Sequence, residues 1–173
     1  MNRRWALLGL PLLAACASPS VEQYAAEKPV LDLRQYFNGP MTAHGVFTDR
    51  SGAVKRRFVV KLLGTWKGDE GVLEEDFVYS DGAQERRVGR ITHHGQGRYT
   101  GRADDVIGEA QGQAAGNALR WAYTLRLKVD DTTYDVQFDD WMWLVDERVM
   151  LNKATMSKFG VRLGEVTLSF TKP

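Results

Sequence analysis

Cysteine is the scarcest feature of this sequence: 173 residues carry a single thiol, Cys16. One thiol forms no intrachain disulfide and no cysteine-rich zinc site. A charge excess of either sign is also missing, with 23 Lys and Arg against 22 Asp and Glu. Nucleic-acid binders normally carry a basic surplus, so that class is set aside. Long apolar runs are absent as well. The longest, Trp5 to Leu13, falls well short of the roughly 20 residues that a membrane-spanning helix needs. No helical apolar period of any length follows residue 40. The histidines His44, His93 and His94 form no HxH or HExxH spacing, and adjacent strand residues such as His93 and His94 face opposite ways. No metal site and no cofactor are therefore expected. Serine elbows of the GxSxG type and phosphate-cradling glycine loops are missing too.

What is present begins with the setting of the lone cysteine. Arg3 and Arg4 form a short basic region, Trp5 to Leu13 an apolar one, and Leu13-Ala14-Ala15-Cys16 resembles a bacterial lipobox. Residues 1–15 are read as a signal peptide and Cys16 as the acylated first residue of the mature chain. The plainer alternative is an ordinary signal peptide with an incidental cysteine. Arg3-Arg4 sits in a poor match to twin-arginine signals, so general secretion is expected. Ala17 and Ser18 follow the cysteine with no Asp, a pattern that resembles outer-membrane sorting, with the domain facing the periplasm. Removing residues 1–15 takes away two arginines and no acid, leaving 21 basic against 22 acidic residues. Acylation of Cys16 makes the membrane the one expected partner, and more than one acyl chain makes such anchoring stable.

Residues 16–30 are small, polar and proline-containing, and read as a flexible tether. Residues 31–173 form one domain. It opens with a helical turn or entry strand over Leu31 to Phe37. Turn signals then recur every 10–15 residues or so, among them Ser51-Gly52, Gly68-Asp69, Asp81-Gly82, Gly116-Asn117 and Phe159-Gly160. Between them apolar residues alternate with polar ones, as in Leu119, Trp121, Tyr123, Leu125, Leu127 against Arg120, Thr124, Arg126, Lys128. A period of two means one buried and one wet face. About ten strands are expected, near 41–49, 54–66, 71–80, 84–93, 97–105, 109–115, 118–129, 132–145, 148–158 and 161–171. No segment is long enough for parallel crossovers. The fold class is all-β, an antiparallel up-and-down, lipocalin-like barrel, with a two-sheet sandwich as the alternative.

Certain strings carry a family resemblance: Leu31-Asp32-Leu33-Arg34 with Tyr36-Phe37-Asn38-Gly39, Asp76 to Gly82, Gly101 to Asp105, Gly116 to Trp121, Asp139-Asp140-Trp141-Met142, and Lys158-Phe159-Gly160 with Gly164-Glu165. Together they resemble the bacterial lipoprotein family catalogued as domain of unknown function 3833 (DUF3833), over about Leu31 to Phe170. The resemblance implies a barrel-like fold and carries no reaction or catalytic residue.

Asp140 is the first candidate for chemistry. It interrupts the apolar face of Tyr134, Val136, Phe138, Met142 and Leu144, and a carboxylate facing a core must be paired, or its pKa rises. The simpler expectation is a bulge at Asp139-Asp140 that turns both carboxylates outward. Glu74, Glu75 and Asp76 alternate in direction and read as a charged outer face rather than a glycosidase-type pair; Asp104-Asp105 reads as a solvated loop. Trp66, Trp121, Tyr123 and Phe138 line an apolar cavity or simply pack a core. Trp141 and Trp143 share the face of Asp139 and so lie outside the barrel, where they meet a membrane or partner. The expected function is non-catalytic binding of a small apolar or amphipathic ligand such as a lipid, by Asp140, Arg120, Trp121, Tyr123, Phe138 and Trp66. The alternatives are a solid structural or assembly lipoprotein, and a lipid- or ester-modifying enzyme using Asp140 and Arg120.

Overall fold

The structure, a computed structural model, describes residues 19–129 and 131–173. The expected signal peptide and Cys16 lie outside them. Ten strands follow one short helix: α1 (Leu33–Tyr36), β1 (Gly39–Asp49), β2 (Val54–Lys67), β3 (Glu70–Tyr79), β4 (Gln84–His93), β5 (Arg98–Arg102), β6 (Ala110–Ala115), β7 (Ala118–Val129), β8 (Thr132–Leu144), β9 (Val149–Lys158) and β10 (Val161–Thr171). Each strand pairs antiparallel with its chain neighbours, and β10 returns to β1 to close the ring. Closure leaves no free sheet edge among the described residues. The up-and-down barrel is the fold, and the sandwich is not.

Alternation decides what faces in. On β2, Phe58, Val60 and Leu62 are buried while Val59, Lys61 and Leu63 are exposed. The same parity places Met150, Asn152, Ala154 and Met156 of β9 inside. A second reason for the ring's shape is close approach: a Cβ on Gly112 would meet the Trp121 ring at 2.7 Å, so glycine gives that ring its place in the interior.

One end of the barrel is plugged. The Asp32 carboxylate accepts from Arg34 N at 2.9 Å and starts α1. The helix drops Leu33, fully buried, and Tyr36 into the end where β1 begins and β10 finishes. The Tyr36 hydroxyl donates to Arg148 O or Phe170 O, at 3.1 and 3.2 Å, and the Trp66 indole donates to Phe37 O at 3.0 Å. Around this plug Met41, Leu62, Leu119, Trp121, Met142 and Met150 form a filled core. A second, smaller cluster, Val136, Phe138, Ala154 and Met156, occupies the far half.

The tether expectation needs correction. From Val21 onward the segment is held against the outer wall rather than hanging free. A 3-10 turn at Val21–Tyr24 buries Val21 against Ala118 and Trp141, and Tyr24 sits 6.1 Å from the Trp141 ring. Leu31 N donates to Gly116 O at 2.8 Å and pins the segment's end. The cause is the outward pair Trp141 and Trp143, stacked 5.9 Å apart. Their apolar area gains more from a covering strap than from water. The two tryptophans do lie outside the barrel, but the chain itself is what covers Trp141.

Candidate functional site

β8 runs through Asp139 and Asp140 without a bulge: Asp139 stands opposite Ala122 and Asp140 opposite Trp121. Alternation therefore holds, Asp140 points inward, and it is 6% exposed. The expected bulge, with both carboxylates in solvent, is overturned; only Asp139 faces out. Tyr123 donates its hydroxyl to Asp140 Oδ2 at 2.9 Å. Asn152, 2% exposed, donates to Asp140 Oδ1 and to Trp141 O. Burial lifts the Asp140 carboxyl to about 6, against the two hydrogen bonds from Tyr123 and Asn152 that favour its charge. Burial and the neighbouring Asp140 charge likewise hold the Tyr123 phenol well above its usual value.

A second polar group adjoins the first. Arg87 of β4 donates Nη1 to Glu75 at 2.8 Å and Nε to both oxygens of Asp105 at 3.1 and 3.0 Å. Asp105 is presented by the β5–β6 connection, which docks on β7 through Arg126 N to Asp105 O at 2.8 Å. Burial raises the Glu75 carboxyl, and the Arg87 charge opposes that rise. Burial also works against the Arg87 guanidinium, but Glu75 and Asp105 outweigh it and hold it protonated. The two groups are close enough that the Arg87 charge favours ionisation of both Asp140 and Tyr123.

These six residues form a polar layer between the filled core around α1 and the second cluster in the far half. Tyr123 stacks on Phe138 at 5.1 Å, so the layer borders the second cluster directly. Beyond it, Phe47, Leu125, Leu127 and Val166 are only partly buried. The geometry offers a carboxyl, a phenol and a guanidinium at the foot of an apolar wall.

The predicted site residues divide. Asp140, Tyr123 and Phe138 come together in this layer. Trp121 is interior but packs over Gly101 and Gly112, and Trp66 is interior but serves the α1 plug; both belong to the filled half. Arg120 does not join them. The strand period sends it outward, where it pairs with Asp139 at 2.7 Å beside Trp141 and borders an outer-wall concavity of about 610 Å³ next to the strap. Asp140 and Arg120, the two residues named for the enzyme alternative, therefore lie on opposite faces of the barrel wall. Glu74 and Asp76 do point opposite to Glu75 as alternation requires, but the charged outer face holds only the first two: they meet Arg86 outside, whereas Glu75 meets Arg87 within. His93 bonds Asp69 and His94 bonds Thr100. Among the described residues no three His, Cys, Asp or Glu gather as metal ligands.

Sequence reasoning set Glu75 and Asp105 aside as a charged face and a solvated loop, and missed Arg87 and Asn152. For three of them the signal was parity: Glu75 falls in step with Leu73 and Phe77, Arg87 with Gly89 and Ile91, Asn152 with Met150 and Ala154. Asp105 lies in a connection, where no period applies.

Similar folds occur in solved structures of distant sequence. An S-type phycobiliprotein lyase, CPES, from Guillardia theta matches with a TM-score of 0.58 at 8% identity, over 90% of this chain and 98% of that one. A protein of unknown function of the DUF3598 family from Nostoc punctiforme matches with a TM-score of 0.59 at 13% identity, over 86% of this chain. This chain spans about half of that protein's length, 51%. No curated protein matches. At these identities the likeness concerns the barrel alone. The sequence match is more specific: the chain belongs to the family described as protein of unknown function (DUF3833), whose model matches residues 10–172.

Proposed function

We propose that the protein binds a small amphipathic molecule, a lipid being the simplest case, in the half of the barrel away from α1. It would do so as a lipoprotein held by acylated Cys16, on the outer membrane and facing the periplasm. One observation carries the binding reading: Asp140, Tyr123, Asn152 and Arg87 form a hydrogen-bonded polar layer across the barrel interior, with Asp140 and Asn152 buried in it. A barrel that is only structural gains little from such a layer, since well-packed apolar residues in place of buried charges are often neutral or stabilising. A ligand headgroup would meet Tyr123, Asp140 and Arg87, while its chain lies along Phe138, Leu125, Leu127 and Phe47. Asp140 accepts hydrogen bonds when ionised and donates one when protonated, so the layer suits either a donor or an acceptor headgroup. The anchor reading rests on the lipobox-like run at Leu13 to Cys16 and on the absence of Asp after it.

The test is native mass spectrometry of the full chain extracted from its host envelope, with fluorescent fatty-acid binding in parallel. A retained lipid-sized adduct and saturable binding are expected. Leu127→Lys, which places a charge on the partly exposed wall, should abolish both while the β-type circular dichroism persists. If the unsubstituted protein shows neither adduct nor binding, the solid structural barrel is the better reading.

A further inference from the structure

The β9–β10 hairpin stands out from the rim. Pairing of β9 with β8 ends at Ser157–Gln137, and pairing of β10 with β1 ends at Gly164–Asp49, so Lys158 to Leu163 extend past both neighbouring strands with backbone pairing only inside their own hairpin. At the tip sits Phe159, 89% exposed, with φ of 51°. A bulky aromatic residue in the left-handed region is unfavourable on steric grounds, and the turn would take Asn or Gly there at lower cost. Water exposure of the ring adds a second cost. Packing among the described residues offsets neither.

The tip's neighbours share one chemistry. Val161, Leu163 and Tyr134 are all exposed apolar or amphipathic side chains. Lys158 lies between the two rings, its Nζ 4.8 Å from the Tyr134 centroid and 5.4 Å from that of Phe159. Arg162 follows, paired with Glu165 at 2.8 Å yet about half exposed. Behind the hairpin, Arg126 and Lys158 border a concavity of about 540 Å³ whose acid, Asp135, is already paired with Arg126. An exposed aromatic tip with cations at its shoulders is the pattern of a side chain that enters a bilayer interface while Lys and Arg reach back to phosphates.

We infer that the β9–β10 turn is a lipid-contact element, with Phe159 entering the interfacial region of an anionic bilayer and Lys158 and Arg162 meeting its phosphate headgroups. A protein partner fits less well. A stable protein interface needs roughly 1,200 Å² or more of complementary surface, and a projecting two-residue turn offers no such area. A bilayer demands depth and charge rather than shape. This inference does not depend on whether the barrel holds a ligand.

The test uses the full chain with Cys16→Ser, so that a reporter thiol is unique. An environment-sensitive nitrobenzoxadiazole dye is attached at Val161→Cys, or at Glu147→Cys on the exposed β8–β9 turn of the opposite end as reference. Vesicles of phosphatidylcholine, with and without phosphatidylglycerol, are then added. Emission from position 161 should shift to the blue and brighten on the anionic vesicles, with no such change at 147. Phe159→Ser in the same background should raise the lipid concentration at half-maximal change about tenfold or more, and Lys158→Glu with Arg162→Glu should remove the preference for phosphatidylglycerol. Three results would overturn the inference: no change at 161 on either vesicle, an equal change at 161 and 147, or a change that grows with protein concentration without lipid. The last would mark the tip as a contact between copies of the chain. The comparison of neutral with anionic vesicles needs no tip variant, so it stands even if a variant fails to fold.

Discussion

Asp140 holds its proton more tightly in the folded chain than in the unfolded one, because burial raises its carboxyl from 3.8 to about 6. The folded state therefore loses stability, through this residue, as pH rises from about 4 to 6, and the loss is complete above that range. Its size is about 3 kcal/mol. Asp140→Asn removes the titration yet can still accept from Asn152 and donate to the Tyr123 hydroxyl. Denaturant unfolding across pH 4–8 should show the variant gaining on the parent with rising pH, most steeply between pH 4 and 6. A constant difference across that range would show that Asp140 does not titrate there. The rest of the polar layer illustrates how far residues can be read singly. Glu75 and Asn152 are in step with apolar neighbours, and parity alone points them inward. Their partners come from other segments, Arg87 for Glu75 and Asp140 for Asn152, with Asp105 as the second acid on Arg87, and no local pattern says which group meets which.

At the scale of elements, the strands were almost entirely legible. Hairpin turns and period-two alternation place β4, β7 and β10 at their observed limits, and the others within a few residues. The reason is that each strand's environment, one wet and one dry face, is written into its own alternation. The strap at Val21–Tyr24 was not legible for the same reason inverted: four residues carry no period, and what orders them is a tryptophan pair more than a hundred positions away. Val21→Ala removes two buried carbons from that contact and should cost about 1.5 kcal/mol. It should also make Trp141 and Trp143 more accessible to acrylamide, read as increased fluorescence quenching. Unchanged stability and quenching would return the segment to a free tether.

For the whole molecule, the proposed membrane location rests on Cys16, outside the described residues. Cys16→Ser should leave the chain without the acyl chains that the parent carries, read as the loss of their mass in intact-protein mass spectrometry; a parent of unacylated mass would refute the lipobox reading. The strap has a bearing on geometry here. With Val21 packed on the outer wall, only a few residues, each spanning at most about 3.5 Å, separate Cys16 from the barrel, so a molecule anchored there would lie close to its bilayer rather than swing on a long leash.

The ring closure itself has a kinetic consequence. Nine of the ten strand pairings join chain neighbours and can form as hairpins, but the tenth brings Thr42–Asp49 to Gly164–Thr171. That step encloses most of the chain in one loop. The added entropy of so long a loop is modest because it grows only logarithmically with length, yet non-local pairing of this kind slows folding. Until it forms, β1 and β10 are both raw edges, each able to recruit a strand from another molecule. The closing pair is thus where correct folding competes most directly with self-association, and β10, the last of the ten barrel strands in chain order, decides the contest.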